Sequence, residues 1–514
     1  MISRKFALVL GSCLPALAIE LVDVTAKAGL AGFVNRQGSA KKDYILESVG
    51  GGAAWIDFDK DGWLDAVLVS GQTVCAIYRN QRDGTFQQVP LAAKGMGMGV
   101  AAGDYDGDGW DDFLITGYLR NWLFRNKQGK GWEEVAEHAG VISQGLWSTG
   151  ATFFDYDNDG HQDLFVARYV KFDISKPVPR SSICQYRGKS VFCGPQGFQS
   201  DPPSLFHNNG DGTFREVSDA AGIRPAKGPH HGMGAISLDY DRDGRPDIYV
   251  ANDDTPNQLW HNLGDGKFKD VALEAGVAFS PDGLPQSSMG VDAGDLFHRG
   301  VQDIFVTTFE GQPYPLYKGG KDGFFEDVTW ASGLGRATLP NLGWGANFLD
   351  LDNDGWLDIL AVNGHVYPEM GSRYRQQPQI FRNLGNGKFE EWPLLPALLP
   401  GRGAAVGDYD NDGDLDILIN NIDAAPSLYE NRGKPAGNWI TVETPAGAWI
   451  TIKANGMTQT AEARSSSGYL SSSDRRVHFG LGPAAEIDEI EIAYGGGRHE
   501  TLKKLKVNQR LLRR

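Results

Sequence analysis

Six times along this chain, aspartate stands at positions 1, 3, 5 and 9 of a nine-residue stretch, with glycine at position 6. The copies are Asp57, Asp59, Asp61 and Asp65; Asp104, Asp106, Asp108 and Asp112; Asp155, Asp157, Asp159 and Asp163; Asp239, Asp241, Asp243 and Asp247; Asp350, Asp352, Asp354 and Asp358; and Asp408, Asp410, Asp412 and Asp416. Carboxylates on alternate residues of a curled loop can converge on one point. Position 7 can add a backbone carbonyl, and glycine permits the sharp turn. Such an oxygen cage suits Ca²⁺, which takes six to eight ligands at about 2.3–2.6 Å. No Cys or His occupies these positions, which argues against zinc and copper. Mg²⁺ keeps its waters and demands octahedral geometry. Without a cation, four carboxylates per loop would repel one another. About six bound Ca²⁺ are therefore expected. A seventh stretch, DLFHRGVQD from Asp295, replaces two aspartates with Phe297 and Arg299. It is expected to keep the turn without the metal, with Arg299 supplying the positive charge.

These loops need elements that hold their ends. Position 9 runs directly into short β-branched and aromatic runs such as DLFVARY, DIYVAND and DILAVNG. That excludes an EF-hand, which needs flanking helices and a Glu at position 12, and places each loop between two strands. Successive loops start 47 to 58 residues apart, with one gap of 84. Each is preceded by a strand with an AGL-like turn (LVDVTAKAGL, FREVSDAAGI) and followed by a strand with an Asn or Gly turn (IYRNQRDGTF, LWHNLGDGKF). Four strands in about 50 residues, seven times over, read as a seven-bladed β-propeller spanning 19–434. The last unit lacks its final strand, and Leu21 to Leu30 carries one to complete it, which would remove the open edge. The long gap marks an insertion at about 170–203. Its Cys184 and Cys193 are expected to form a disulfide that staples a lid. Cys75 lies in a strand-like run and reads as buried and inert.

The formal net charge of −16 is mostly loop chemistry; six Ca²⁺ would leave about −4, and acidity argues against nucleic acid as a partner. Residues 1–18 carry Arg4 and Lys5, an apolar run and an Ala16-Leu17-Ala18 cleavage site, the pattern of a secretory signal. The alternative is a lipoprotein box ending at Cys13. No other run is long enough to cross a membrane. A secreted, periplasmic or cell-surface location is expected, where weak calcium sites fill.

If the inner strand of each unit runs down into its acidic loop, all loops share one face. The segments leading into those strands carry Glu47, Trp147, His230, His231, Trp344 and Arg402. The segments after the returning strands carry Arg168, Tyr169, Asp253, Asp254, Glu310, His365, Tyr367, Asn420 and Asp423. Both sets, with the Cys184–Cys193 lid, should meet on the opposite face, where propellers place ligand sites.

From Asn438 the repeat gives way to alternating segments such as NWITVETPA and IDEIEIAY, a small β-domain over 437–514. Its stretches RSSSGYLSSSDRRVHFGLG and YGGGRHETLKKLKVNQRL resemble the ASPIC/UnbV domain. The repeats resemble FG-GAP/VCBS repeats, and together they resemble the cartilage acidic protein group. The resemblance implies an exported calcium-binding propeller used in binding or adhesion, with no agreed catalytic activity. One departure is Tyr494-Gly495, where such domains often carry Trp-Pro. No G-x-S-x-G, H-E-x-x-H or phosphate loop is present. Binding of a protein or glycan ligand is therefore the first expectation. An enzyme acting on a polysaccharide at the opposite face, and a structural subunit of an exported complex, are the alternatives.

Overall fold

A computed structural model describes residues 19–91, 93–176, 184–224, 228–433 and 437–513. The leader expected over 1–18 lies outside the described residues, as do 177–183 of the insertion. The fold is all-β and propeller-like, built from four-stranded antiparallel sheets.

The first sheet pairs Ala53–Ile56, Asp65–Ser70, Val74–Asn80 and Phe86–Val89 in chain order. The same order recurs in the sheets whose first strands are Gly97–Gly103, Ser148–Phe154, Gly232–Leu238, Ser288–Gly294 and Gly343–Leu349. The last sheet of the series, starting at Gly401–Gly407, takes its fourth strand from the other end of the chain. Leu21–Asp23 pairs antiparallel with Ser427–Asn431. This is the pairing the repeat phase requires, and it covers the outer edge of Ser427–Asn431.

Each pair of neighbouring sheets encloses one apolar cluster, because both faces of every sheet carry alternating hydrophobic residues. The last sheet shares its cluster with the first: Trp55 stacks on Tyr409 at 6.0 Å, and its indole N–H donates to the Ala405 carbonyl at 3.2 Å. The sheets therefore close on themselves around an axis. The innermost strands approach so tightly there that a Cβ on Gly290 would lie 1.9 Å from the Trp344 carbonyl oxygen.

Residues 438–512 form two further sheets, with Asn438–Glu443 between Val477–Gly482 and Gln509–Leu512 in one, and Trp449–Ala454 at the centre of the other. This module sits against the acidic loops: Arg475 pairs with Asp111 at 2.9 Å, Arg510 approaches Asp408 at 3.3 Å, and Trp449 stacks under Arg242 at 3.8 Å. Its serine-rich hairpin, Arg464 to Arg476, enters the central channel. Innermost strands carry an unpaired edge, and a buried unpaired N–H is costly. The hairpin supplies the partners. Ser472 exchanges backbone bonds with Ala53 and Trp55, Leu470 accepts from Val100, and Ser465 Oγ accepts from Phe153 N–H. Gly468 exchanges two bonds with Val291, Ser466 Oγ donates to Ala235, and Ser473 Oγ accepts from Asn347 and Val406. All seven inner strands are engaged. The hairpin tip, Tyr469 and Leu470, is buried in an apolar cluster at the far mouth of the channel.

Among the described residues no helix is long and apolar enough to cross a membrane. Cys75 is a buried free thiol whose pKa is raised by burial.

Candidate functional site

The acidic loops have one construction. In the first, Asp57 Oδ1 accepts from the Asp61 N–H at 3.0 Å and Oδ2 from the Gly62 N–H at 2.9 Å. Asp61 Oδ1 accepts from Trp63 N–H at 2.9 Å, and Asp65 ties back to the Phe58 N–H at 3.2 Å. Position 6 is glycine because its φ is strongly positive, +85° at Gly62 and +97° at Gly413. Position 4 is also left-handed, which explains why Asn158, Asn353 and Asn411 stand there. This curl brings carboxylates of Asp57, Asp59 and Asp61 within 4.8 Å of one another, and those of Asp104, Asp106 and Asp108 likewise.

Several of these oxygens lack a partner. Oδ1 of Asp59, Asp104, Asp352 and Asp410 is buried without a hydrogen bond. Burial lifts the position-9 carboxyls, Asp65 to about 8, Asp112 to about 9 and Asp163 to about 8. Arg79 and Arg382 meet the other oxygens of Asp59 and Asp352, and a buried carboxylate oxygen left without a donor is costly unless a cation meets it. The donor set, all oxygen and with orphaned lone pairs, fits a hard divalent cation.

The fifth loop has another solution. Asp295 accepts from Arg299 N–H and Gly300 N–H at 2.7 Å each, so the turn is kept. The Arg299 guanidinium pairs with Asp303 and donates to the Gly319 carbonyl. It carries the positive charge the sequence assigned to it.

Two features escaped sequence reasoning. The first is a set of asparagines at or near the end of the third strand of six sheets: Asn80, Asn126, Asn208, Asn262, Asn383 and Asn431. Each backbone N–H donates to the position-9 carboxylate of its own loop, at 2.8 Å from Asn80 to Asp65. Each side-chain amide reaches the position-2 carbonyl of the preceding loop: Asn126 to Phe58 at 2.8 Å, Asn208 to Tyr105 at 2.7 Å, and, across the closure, Asn80 to Tyr409 at 2.8 Å. Gly319 stands in this place in the fifth sheet. The legible signal was the Asn recurring at the end of that strand. The second feature is histidine. His207 Nδ1 lies 3.3 Å from Asp163 and 3.4 Å from Asp157, and His261 Nδ1 lies 3.2 Å from Asp247. No carboxylate position of the six complete loops is His, but the neighbouring strand brings one beside the third and fourth loops, where Arg79 and Arg382 stand beside the first and sixth.

On the opposite face, the residues singled out by sequence separate into two groups. Most hold the scaffold. Arg168 donates to the hydroxyls of Ser148, Ser143 and Ser204. Arg402, fully buried, donates to the carbonyls of Ser48 and Gly401 and stacks at 4.2 Å on Trp344. Glu47 accepts the N–H groups of Ser39 and Asp43, and Asn420 donates to the carbonyls of Gly52 and Val69. Asp423 pairs with buried Lys42 at 2.5 Å. Trp147 is buried edge-on against Tyr169 at 5.1 Å. His230 N–H donates to Ser200 Oγ at 2.8 Å, and His231 Nδ1 meets the Asp253 carbonyl at 3.0 Å.

Glu310 clasps the lid. Cys184 and Cys193 are disulfide-bonded, with Cα atoms 5.3 Å apart, around a hairpin of Gln185–Tyr186 and Lys189–Ser190. From this hairpin Tyr186 Oη donates to Glu310 Oε2 at 2.7 Å and Arg187 to Oε1 at 3.1 Å, while Arg373 pairs from the other side. His365 stands 3.4 Å from the same carboxylate, its pKa pushed down to about 4 by burial.

The second group lines a cavity of about 480 Å³ beneath the lid. Asp253, Asp254 and Trp344 belong to it, as do Tyr169 and Tyr367. The disulfide itself, Phe192 and Phe309, and the methionines Met233 and Met289 are part of the apolar lining. Tyr169 Oη donates to Asp253 Oδ2 at 2.6 Å. Burial pushes the Asp253 carboxyl up to about 6, partly offset by the bonds from Tyr169 and Ser287.

The repeat geometry and the hairpin-bearing module have counterparts elsewhere. The FG-GAP-like repeat profile matches residues 57–115, 104–166, 191–250, 239–306 and 362–419. The chain belongs to the FG-GAP-like repeat family. The ASPIC and UnbV profile matches residues 443–513, so the module that plugs the channel is that family's domain. The chain is homologous to cartilage acidic protein 1, being 27% identical to the Homo sapiens protein over 398 residues, 73% of this chain and 54% of the relative. The Mus musculus protein is also 27% identical, over 73% of this chain and 56% of its own length. This FG-GAP-like chain thus spans about half the length of the curated relatives it matches. Among solved structures, an Agrocybe aegerita lectin that recognises non-reducing terminal N-acetylglucosamine aligns with a TM-score of 0.42 and 17% identity, over 73% of this chain and 87% of the lectin. A likeness of that degree carries no argument about the site.

Proposed function

We propose that this protein is an exported, calcium-stabilised binding protein whose ligand site is the lidded cavity opposite the acidic loops. In this reading, residues 1–18 are a removed leader, 19–434 a seven-bladed β-propeller, and 437–514 the module that plugs its channel. About six Ca²⁺ occupy the complete loops, each held by the aspartates at positions 1, 3, 5 and 9. The bound ion supplies the positive charge that the convergent carboxylates require. The disulfide supports an oxidising compartment.

The observation that carries the binding role is the cavity itself. Its volume falls in the range of small-ligand sites, and its lining is mostly apolar with a few polar groups. The lid above it is stapled covalently and clasped by Glu310, so the walls are preorganised. A fragment screen by saturation-transfer NMR in calcium buffer tests this on the wild-type protein and on Met289→Trp, which fills the cavity. Hits present with the first and lost with the second, at matched melting behaviour, are expected. Hits of equal strength in both would place the ligand site elsewhere.

A further inference from the structure

Among the described residues the cavity lining contains two carboxylates and no Lys, Arg or His. Asp253 receives hydrogen bonds from Tyr169 and Ser287, which are neutral donors. Asp254 is bonded by the neutral amide of Gln196. Among the described residues no salt bridge reaches either carboxylate, whereas the neighbouring Glu310 is matched by Arg187 and Arg373. Two buried cations on this face are already engaged: Arg402 serves carbonyls behind Trp344, and Lys42 pairs with Asp423. An uncompensated carboxylate in an apolar enclosure calls for a positive partner. A metal ion is poorly served, because a hard cation wants at least six oxygens, and beyond the neutral side chains of Ser48, Gln185, Gln196 and Ser287 the remaining walls are mainly aromatic, aliphatic or sulfur-bearing. Those walls suit an apolar body instead, and aromatic rings in the lining, such as those of Tyr169 and Tyr367, attract organic cations through their quadrupoles.

We propose that the cavity binds a small organic ammonium ion with an apolar body, with Asp253 as its counter-ion. This rests on the reading of the cavity as the ligand site. The ammonium group would meet Asp253 at the polar end, beside Asp254, and the apolar body would lie against Phe192, Met233 and Met289. Tyr169 fixes the carboxylate's orientation through its hydrogen bond and acts as a positioning residue.

The test uses the full chain with calcium at pH 7.5 and three probes of one shape: phenethylammonium, 2-phenylethanol and 3-phenylpropionate. Isothermal titration is expected to show saturable binding of the ammonium, at least tenfold weaker binding of the alcohol, and none of the carboxylate. Asp253→Asn keeps the shape and the Tyr169 contact, and should weaken the ammonium at least tenfold while leaving the alcohol within threefold. Asp254→Asn, a second variant at the rim, should weaken the ammonium by a smaller factor, and it keeps the question open to measurement should Asp253→Asn fail to fold. Ammonium binding unchanged in both variants would overturn the proposal. Alcohol or carboxylate binding as tight as the ammonium, and abolished in Met289→Trp, would overturn the charge assignment and leave the cavity as a ligand site. No binding by any probe, together with no hit in the fragment screen, would overturn both.

Discussion

Tyr469 offers the sharpest test of the idea that the C-terminal module is part of the propeller-like core rather than an appendage. It sits at the tip of the serine-rich hairpin, fully buried, with its ring edge-on to Trp344 at 4.9 Å. Its hydroxyl donates to the Val49 carbonyl at 2.6 Å. Tyr469→Ala would remove a buried aromatic ring, which costs about 3–5 kcal/mol. It would also orphan the Val49 carbonyl, for roughly 1–3 kcal/mol more. Partial collapse of the tip lowers the sum, so about 5 kcal/mol is a fair expectation. Tyr469→Phe keeps the ring and loses only the hydroxyl bond, for about 1–2 kcal/mol. Unfolding entropies of about 2 cal/mol/K per residue give about 1 kcal/mol/K for a chain of roughly 500 residues. The alanine variant should therefore melt about 5 °C lower and the phenylalanine variant about 1–2 °C lower, if ring and module unfold together. Calorimetry in calcium buffer measures both. An alanine variant melting within about 1 °C of wild type, or two separate transitions of which only the smaller one moves, would refute the integrated plug.

Three further predictions concern the loops and the contacts between sheets. Metal analysis should find about six Ca²⁺ per chain, and chelation should lower the melting temperature by several degrees; at roughly 1 mM Ca²⁺ and dissociation constants of about 0.1 mM, each site contributes about 1.4 kcal/mol. In the chelated protein the position-9 carboxyls titrate well above their unfolded value of about 4, so the folded state holds more protons and stability falls as pH rises from about 4 to 8. Calcium should flatten that slope, and a chelator-insensitive melt with one ion or none would sink the calcium reading. Asn80→Ala removes the amide that joins the first and last sheets and leaves the Leu64 and Tyr409 carbonyls unserved. A loss of about 2–4 kcal/mol is expected by denaturant titration, and a loss below about 0.5 kcal/mol would show that the bond across the closure is dispensable.

Much of this architecture was legible in the chain because repeats carry their own phase. The aspartate spacing marked every loop, the strands on either side followed from β-branched runs, and the missing last strand pointed to Leu21 to Leu30, of which Leu21–Asp23 form it. The fifth loop's substitution of Arg299 was readable as a charge replacement because only a cation could sit among those carboxylates. The residues of the opposite face were harder. Sequence placed fifteen of them at one mouth by strand direction, but nothing in their types separated Arg168 and Arg402, which serve hydroxyls and carbonyls of their own neighbourhood, from Asp253 and Trp344, which line the cavity. The asparagine bonds between sheets were visible only as a recurring letter. Their meaning depends on which carbonyl lies within 3 Å in the next sheet.

The sequence by itself determined the repeat unit, its donor chemistry and the family, because those depend on residues close together in the chain. Tertiary structure alone decided what the C-terminal module does, since the hairpin at 464–476 finds its partners on seven strands spread over about 350 residues. It also decided that two acidic side chains would face a largely apolar cavity with no cation beside them among the described residues. Whether a carboxylate is paired depends on where every other charge comes to rest, and only the closed ring settles that.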